Sequence, residues 1–138
     1  MANPTILFPL IITEKLDETR AYYRDVLGAK TVHDMEGYFQ VRFGEDEAAP
    51  QLAFMPPCEA KDLGGPLQAF PGKGIIVSIP TPDADQHHAA LTDRKARVLH
   101  DPTNKPWGWR SFPVGDPNGI VLDFFHVVAQ PAVADATG

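Results

Sequence analysis

The chain has 138 residues, of which 43% are apolar, and a formal net charge of −6. A chain of this length forms one domain, or two small modules that share a core, and its apolar content excludes wholesale disorder. The acidic charge argues against a nucleic-acid surface. The longest apolar runs, such as residues 6–12, are too short to span a membrane. We therefore expect neither a nucleic acid nor a membrane among its partners.

The first module, about residues 5–56, is predicted to contain one helix and four strands. Pro9 lies within the first strand, and because proline cannot donate to a strand ladder it indicates an edge position or a bulge. The helix has an apolar stripe of helical period and stops at Gly28, a residue type typical of helix C-termini. The predicted elements are a strand at 5–12, a helix at 16–27, and strands at 30–34, 38–43 and 51–55.

Residues 57–73 are rich in proline and glycine without a clear period, which favours a linker or a lid loop. The pattern then restarts in a second module, about residues 74–127. Its helix is predicted to begin with Thr81 as the N-cap and Pro82 at the first helical position. The predicted elements are a strand at 74–79, a helix from 81 to about 91, a weak strand at 96–100, and strands at 110–114 and 120–126. Residues 128–138 are predicted to form a frayed tail.

Each module has the order strand, helix and three strands, so the chain contains an internal repeat of about fifty residues. A four-stranded sheet with one helix is covered on one face only, and two such sheets cover each other's open faces or form a cup. We therefore predict an α+β fold of two βαβββ modules within a single domain. Ligands tend to bind in concavities at module interfaces, so the cup between the modules is the predicted site of a small-molecule ligand.

Three motifs carry a resemblance to a known family. They are Arg20-Ala-Tyr-Tyr-Arg-Asp-Val-Leu-Gly28 in the first helix, Pro82-Asp-Ala-Asp85 at the start of the second, and Asp116-Pro-Asn-Gly119 before the last strand. They resemble the vicinal oxygen chelate superfamily, which includes glyoxalases, bleomycin-resistance proteins, fosfomycin-resistance enzymes and extradiol dioxygenases. The segment Pro106-Trp-Gly-Trp-Arg110 looks like a subgroup of small, mostly uncharacterised glyoxalase-like proteins. The resemblance implies an open, cupped mixed β-sheet barrel and a homodimer.

The resemblance also implies a test for metal binding, because metal enzymes of this superfamily hold a divalent ion with His, Glu or Gln from the first and last strand of each module. The corresponding positions here are Phe8, either Phe54 or Gln51, either Gly74 or Ile76, and Asp123. A catalytic Zn²⁺, Fe²⁺ or Ni²⁺ needs about three protein ligands, and these positions supply two at most. We therefore predict no metal site and no cofactor.

Asp123 is the first residue to question, because a carboxylate within an apolar strand is costly unless something pairs with it. It is a lone acid or base in the cup, an anchor for a cationic or hydrogen-bonding ligand, or the buried partner of Arg42 or Arg110. His87 and His88 are adjacent on a predicted helix, and we expect both on its surface. The predicted ligand-binding residues are Tyr38, Gln40, Arg42, Phe54, Trp107, Trp109, Arg110 and Phe112.

These observations predict metal-independent binding of a small, partly aromatic organic molecule, in the manner of the bleomycin-resistance proteins. The alternative is a lyase or dioxygenase of the same superfamily that uses Asp123 as an acid or base, or as part of a reduced metal site; a divalent metal is expected only in that case. A third possibility, an interaction module without a ligand, applies if Phe8, Phe54 and Trp109 fill the cup. Cys58 is the only cysteine and no secretion signal is expected, so we predict a cytoplasmic location.

Overall fold

A computed structural model of the chain describes residues 5–128, so the predicted frayed tail lies outside the described residues from 129 onward. The chain divides into two compact units. Among the described residues, the first comprises 5–73 together with Pro117–Gly119, and the second comprises Gly74–Asp116 and 120–128. Each unit begins with a strand and a helix and continues with strands, which confirms the α+β class. Within residues 5–128, no helix is long and apolar enough to cross a membrane.

The first unit contains a four-stranded mixed sheet with the strand order β1-β4-β3-β2. β1 is parallel to β4, and the other neighbours are antiparallel. β1 is an edge strand, as Pro9 indicates, but it is shorter than predicted because the proline has no N–H and the ladder begins after it. The elements are β1 (Leu10–Ile12), α1 (Leu16–Ala21), β2 (Lys30–Met35), β3 (Tyr38–Arg42) and β4 (Gln51–Met55).

The first predicted helix changes its geometry halfway. After α1, residues Tyr22–Val26 continue as a π-helical turn in which the Leu27 N–H donates to the Tyr22 carbonyl at 2.9 Å. Tyr23 is fully buried in this turn, and its ring centroid lies 5.0 Å from that of Phe54. Gly28 follows with a φ of +73°, which explains why glycine ends the helix.

The tip of the turn Pro117–Gly119 is held by buried threonines of the first unit. The Thr13 hydroxyl donates to Asn118 Oδ1, and Asn118 Nδ2 donates to the Thr19 hydroxyl at 3.1 Å. Both threonines are almost completely buried. Asn118 therefore provides a hydrogen-bond partner for two buried hydroxyl groups.

The second unit contains a five-stranded mixed sheet with the order β5-β9-β8-β6, in which β7 also pairs with β8. β5 is parallel to β9, and the other pairs are antiparallel. The weak strand predicted at 96–100 forms only two residues, and β7 was not predicted at all. The elements are β5 (Ile76–Pro80), α2 (Ala84–Asp93), β6 (Arg97–Val98), β7 (Thr103–Asn104), β8 (Trp109–Gly115) and β9 (Val121–Val127).

The second helix starts later than predicted. Asp83 is its N-cap, and the Asp83 carboxylate accepts a hydrogen bond from the Gln86 N–H at 3.1 Å, so the prediction of Thr81 as the cap was wrong. This start places Ala84, His87, His88 and Leu91 on one stripe, at helical spacing. Ala84 and Leu91 are buried, and both histidine rings meet the ring of Phe112 edge-on. Both histidines are half-buried, so the expectation that they lie on the helix surface is met only in part.

Candidate functional site

The second sheet has two faces with different roles. Directly paired residues on β8 and β9 point to the same face, and the register pairs Phe112 with Phe124 and Ser111 with Phe125. Even-numbered residues of these strands face α2, where His87 packs against both Phe112 and Phe124. Odd-numbered residues point to the opposite side. We call this side the helix-free face; it carries Thr103, Lys105, Trp109, Ser111, Asp123 and Phe125.

An aromatic pair lies on the helix-free face, at the end of the β8–β9 ladder where β8 begins. The rings of Trp109 and Phe125 stack with centroids 3.7 Å apart and planes 12° apart. Trp107, in the turn before β8, meets Trp109 edge-on, with the two ring centroids 6.1 Å apart. The Trp107 residue is 54% exposed. The structure thus brings two predicted ligand-binding residues, Trp107 and Trp109, together with Phe125, which was not predicted. Aromatic rings that are not fully buried offer an apolar surface to another ring.

Lys105 supplies a positive charge to the same face. The Lys105 ammonium donates to the Thr103 hydroxyl at 2.8 Å and to the Ser111 hydroxyl at 2.9 Å. Thr103 and Ser111 are directly paired between β7 and β8, so the two hydroxyls lie side by side. None of these three residues was predicted as part of a site. The signal in the sequence was the short glycine-containing turn between Lys105 and Trp109, which is typical of a hairpin.

Asp123 lies on the helix-free face between Ser78 of β5 and Pro113 of β8, its two register partners. Neither arginine that was considered as its ionic partner pairs with it. Arg42 donates instead to the Gly44 carbonyl at 2.9 Å, and Arg110 binds Asp85. Within residues 5–128, the Asp123 carboxylate forms no hydrogen bond or ion pair. The Asp123 side chain is half-buried.

Arg110 and Phe112, both predicted to bind the ligand, lie on the α2 side of the sheet. Arg110 forms two hydrogen bonds with the Asp85 carboxylate, at 2.8 and 2.9 Å, and these bonds lower the pKa of Asp85 below its ordinary value. Phe112 is fully buried beneath α2. Arg110 and Phe112 therefore attach the helix to the sheet and lie outside the candidate site.

The predicted site residues of the first unit divide in the same way. Phe54 is fully buried against Tyr23 on the helix side of its sheet. Tyr38, Gln40 and Arg42 alternate with the buried Phe39 and Val41 and therefore share the opposite face. The Tyr38 hydroxyl donates to Gln40 Oε1 at 2.7 Å, and Gln40 Nε2 donates to Gln51 Oε1. Burial raises the pKa of the Tyr38 hydroxyl above its ordinary value, so this group acts as a neutral donor.

The residues at the family's metal positions do not fit a three-ligand centre. Phe8, Phe54 and either Gly74 or Ile76 have no donor side chain, and the Gln51 oxygen already accepts a hydrogen bond from Gln40. Within the part of the chain that the structure describes, no three His, Cys, Asp or Glu residues form a group able to hold a metal ion. Metal independence itself stays a prediction.

Comparisons with known proteins agree with this fold. The model of the Glyoxalase/Bleomycin resistance protein/Dioxygenase superfamily matches residues 5–124. A glyoxalase/bleomycin resistance protein/dioxygenase from Nocardioides is 19% identical, with a TM-score of 0.71 over 95% of this chain and 89% of that one. Lactoylglutathione lyase from Agrobacterium tumefaciens is 19% identical, with a TM-score of 0.67 over 91% and 95%. TnmS3, an antibiotic binding protein from Streptomyces sp. CB03234, is 23% identical, with a TM-score of 0.61 over 90% and 96%. No curated protein matches the chain in sequence.

Proposed function

We propose that this chain, which belongs to the glyoxalase/bleomycin resistance protein/dioxygenase superfamily, binds a small, partly aromatic organic molecule without a metal ion. The fold hosts both catalysis and sequestration, since its solved examples include a lyase and an antibiotic binding protein. The fold alone therefore does not choose between them, and the choice depends on the residues of this chain.

The observation that carries the proposal is the stacked pair of Trp109 and Phe125 on the helix-free face. Large rings that serve only as core are expected beneath α2, where Phe112 and Phe124 already lie. Trp109 is half-buried on the other side, with the exposed Trp107 beside it. A flat ligand placed against these rings gains apolar burial and aromatic contact, about 0.5–1.5 kcal/mol per ring pair beyond the buried area.

Metal independence is supported by the donor set. A catalytic divalent ion needs about three protein ligands, and the family's metal positions here carry mainly apolar side chains. The test is elemental analysis of the purified protein before and after addition of Zn²⁺, Fe²⁺, Ni²⁺ and Mn²⁺. We expect less than stoichiometric metal in every case. One equivalent of a metal that survives gel filtration would contradict this part of the proposal.

Ligand binding is tested with a thermal-shift panel of flat aromatic compounds, measured on protein that has been dialysed against EDTA. A ligand present at 100 times its Kd stabilises the folded state by about 2.7 kcal/mol, which raises the melting temperature by about 5–10 °C in a chain of this size. The Trp109→Leu variant should lose this shift. Tyr22→Leu, an aromatic substitution in the first unit, should keep it. If no compound shifts the wild-type protein, binding of aromatic molecules is wrong.

The alternative function, a lyase or dioxygenase that uses Asp123 as an acid or base, is favoured by one observation. Within residues 5–128 the Asp123 carboxylate has no ionic or hydrogen-bonding partner, and it lies on the same face as the aromatic pair. If Asp123 transfers a proton, Asp123→Asn should abolish turnover while leaving ligand affinity and melting temperature close to wild type. Asp46→Asn, in the loop before β4, is the matched control. If the wild-type protein shows no turnover and Asp123→Asn lowers the melting temperature, Asp123 has a structural role.

We further propose that the protein acts in the cytoplasm and as a homodimer. The single cysteine supports a reducing compartment, and the family resemblance supports the dimer. Light scattering coupled to gel filtration measures the dimer directly, and a mass of one chain at micromolar concentration would exclude it. Fractionation of cells that produce the native protein measures its location.

A further inference from the structure

We propose that Lys105 binds a carboxylate group of the ligand, so that the ligand class is a flat aromatic carboxylic acid. This inference rests on the proposed function, because it assumes that an aromatic molecule lies on the helix-free face. It adds the charge of that molecule and the atom that recognises it.

The hairpin between β7 and β8 determines where Lys105 lies. The Lys105 N–H donates to the Trp109 carbonyl at 2.6 Å, and the Gly108 N–H closes the turn by donating to the Lys105 carbonyl at 3.0 Å. Lys105 and Trp109 therefore face each other across the hairpin, and residues in this relation have side chains on the same face. Gly108 has a φ of +91°, a conformation that glycine adopts without strain, so the turn is well suited to this sequence.

The hydrogen-bonding capacity of the ammonium is only partly used. A lysine ammonium has three N–H donors, and Thr103 and Ser111 accept two of them. The third finds no acceptor within residues 5–128. Two hydroxyl partners hold the ammonium in one position, because the Ser111 side chain is fully buried and its β-strand is fixed in register. A positioned ammonium with one donor unused is suited to binding an anion.

The charge of Lys105 is also uncompensated. Both of its partners are neutral, and it forms no ion pair with any residue in the described range. A half-buried cation next to aromatic rings is stabilised by an anionic partner more than by a neutral one, because part of its hydration has been lost. A carboxylate on the ligand would supply the missing charge and accept the third N–H.

Asp123 limits where the negative charge of the ligand can lie. It is diagonal to Ser111 in the β8–β9 register, a relation that separates Cα atoms by about 7–8 Å. A second anionic group of the ligand at that end would be repelled. The ligand therefore carries a single carboxylate at the Lys105 end, while its ring lies against Trp109.

The experiment compares acids with their amides, which have nearly the same shape but no charge. Benzoate, 2-naphthoate and anthracene-2-carboxylate are each titrated by calorimetry against benzamide, 2-naphthamide and anthracene-2-carboxamide, at neutral pH and low salt. At least one acid should bind, and at least tenfold more tightly than its amide. Higher salt should weaken the acid and leave the amide unchanged.

Lys105→Met keeps most of the length of the side chain and removes its charge. It should weaken the binding of the acid at least tenfold and leave that of the amide within twofold. Lys73→Met, at an exposed lysine of the first unit, should leave both unchanged. If acid and amide bind wild-type protein equally, or if salt weakens neither, the role of Lys105 is wrong and the proposed function stands. If no acid or amide of any ring size binds, both are wrong.

Discussion

Replacing Phe112 with alanine tests whether this ring belongs to the core or to a ligand-binding surface. The sequence predicts the ligand-binding role. The ring is fully buried, and its centroid lies 5.3 Å from that of His88 and 5.6 Å from those of His87 and Phe124. Truncation of a buried phenylalanine costs about 3–5 kcal/mol through lost contacts and the cavity left behind. A whole domain is stable by only about 5–15 kcal/mol, so the loss is large. With an m-value of about 2 kcal/mol/M, the urea midpoint should fall by about 2 M.

The assay is urea unfolding followed by far-UV circular dichroism, which does not depend on tryptophan fluorescence. Trp107→Ala serves as the control because this ring is 54% exposed and makes one edge-on contact with Trp109. That contact is worth about 0.5–1.5 kcal/mol, so the control should lose far less stability. If Phe112→Ala costs no more than Trp107→Ala, then the ring is not packed beneath α2, and the ligand-wall role regains support.

Two further predictions concern single polar side chains. Burial, with a smaller contribution from the charge of Arg94, lowers the pKa of His87 below its ordinary value. The unfolded chain therefore binds a proton that the folded chain resists, and stability should fall as the pH drops below about 6.5. His87→Gln should flatten this slope in urea titrations across pH and the exposed His100→Gln should not; equal slopes in both variants would exclude His87 as its source. Asn118→Ala should cost about 1–3 kcal/mol because it leaves the buried Thr13 and Thr19 hydroxyls without that partner, and a change below about 0.5 kcal/mol would show that water replaces the amide.

The order of elements in the first unit was predictable, and β3 shows the period of a strand directly in the sequence. Gln51–Met55 was predicted with the bounds that the structure has, and β3 differs by one residue. The π-helical turn at Tyr22–Val26 was not predictable, since an apolar stripe fits α- and π-geometry equally well over one turn. The N-cap of α2 was missed because Thr81 and Asp83 are both good caps, and local pattern does not choose between them.

The candidate site was harder to predict than the fold. Arg110 and Phe112 were assigned to a ligand wall because their residue types suit one, but one residue of register decides which face of β8 a side chain occupies. The register of β8 places Trp109 on the face opposite Phe112, a separation that the sequence did not predict. The position of Lys105 was missed because it depends on hydrogen bonds to Thr103 and Ser111, and β7, which carries Thr103, was not predicted as a strand.

Strict alternation along the β7–β8 hairpin has a consequence for how this segment can evolve. Neighbouring residues make different contacts, because Arg110 binds Asp85 of α2 while Trp109 and Ser111 lie on the other face of the sheet. Insertion or deletion of one residue in β8 would exchange the two faces. Arg110 would then point away from α2, and Trp109 and Ser111 would point toward it. Divergence here should proceed by replacement at alternate codons with the length held constant. On the proposed function, substitutions at Lys105 and Trp109 change ligand selectivity and leave the ion pair of Arg110 with Asp85 on the other face intact.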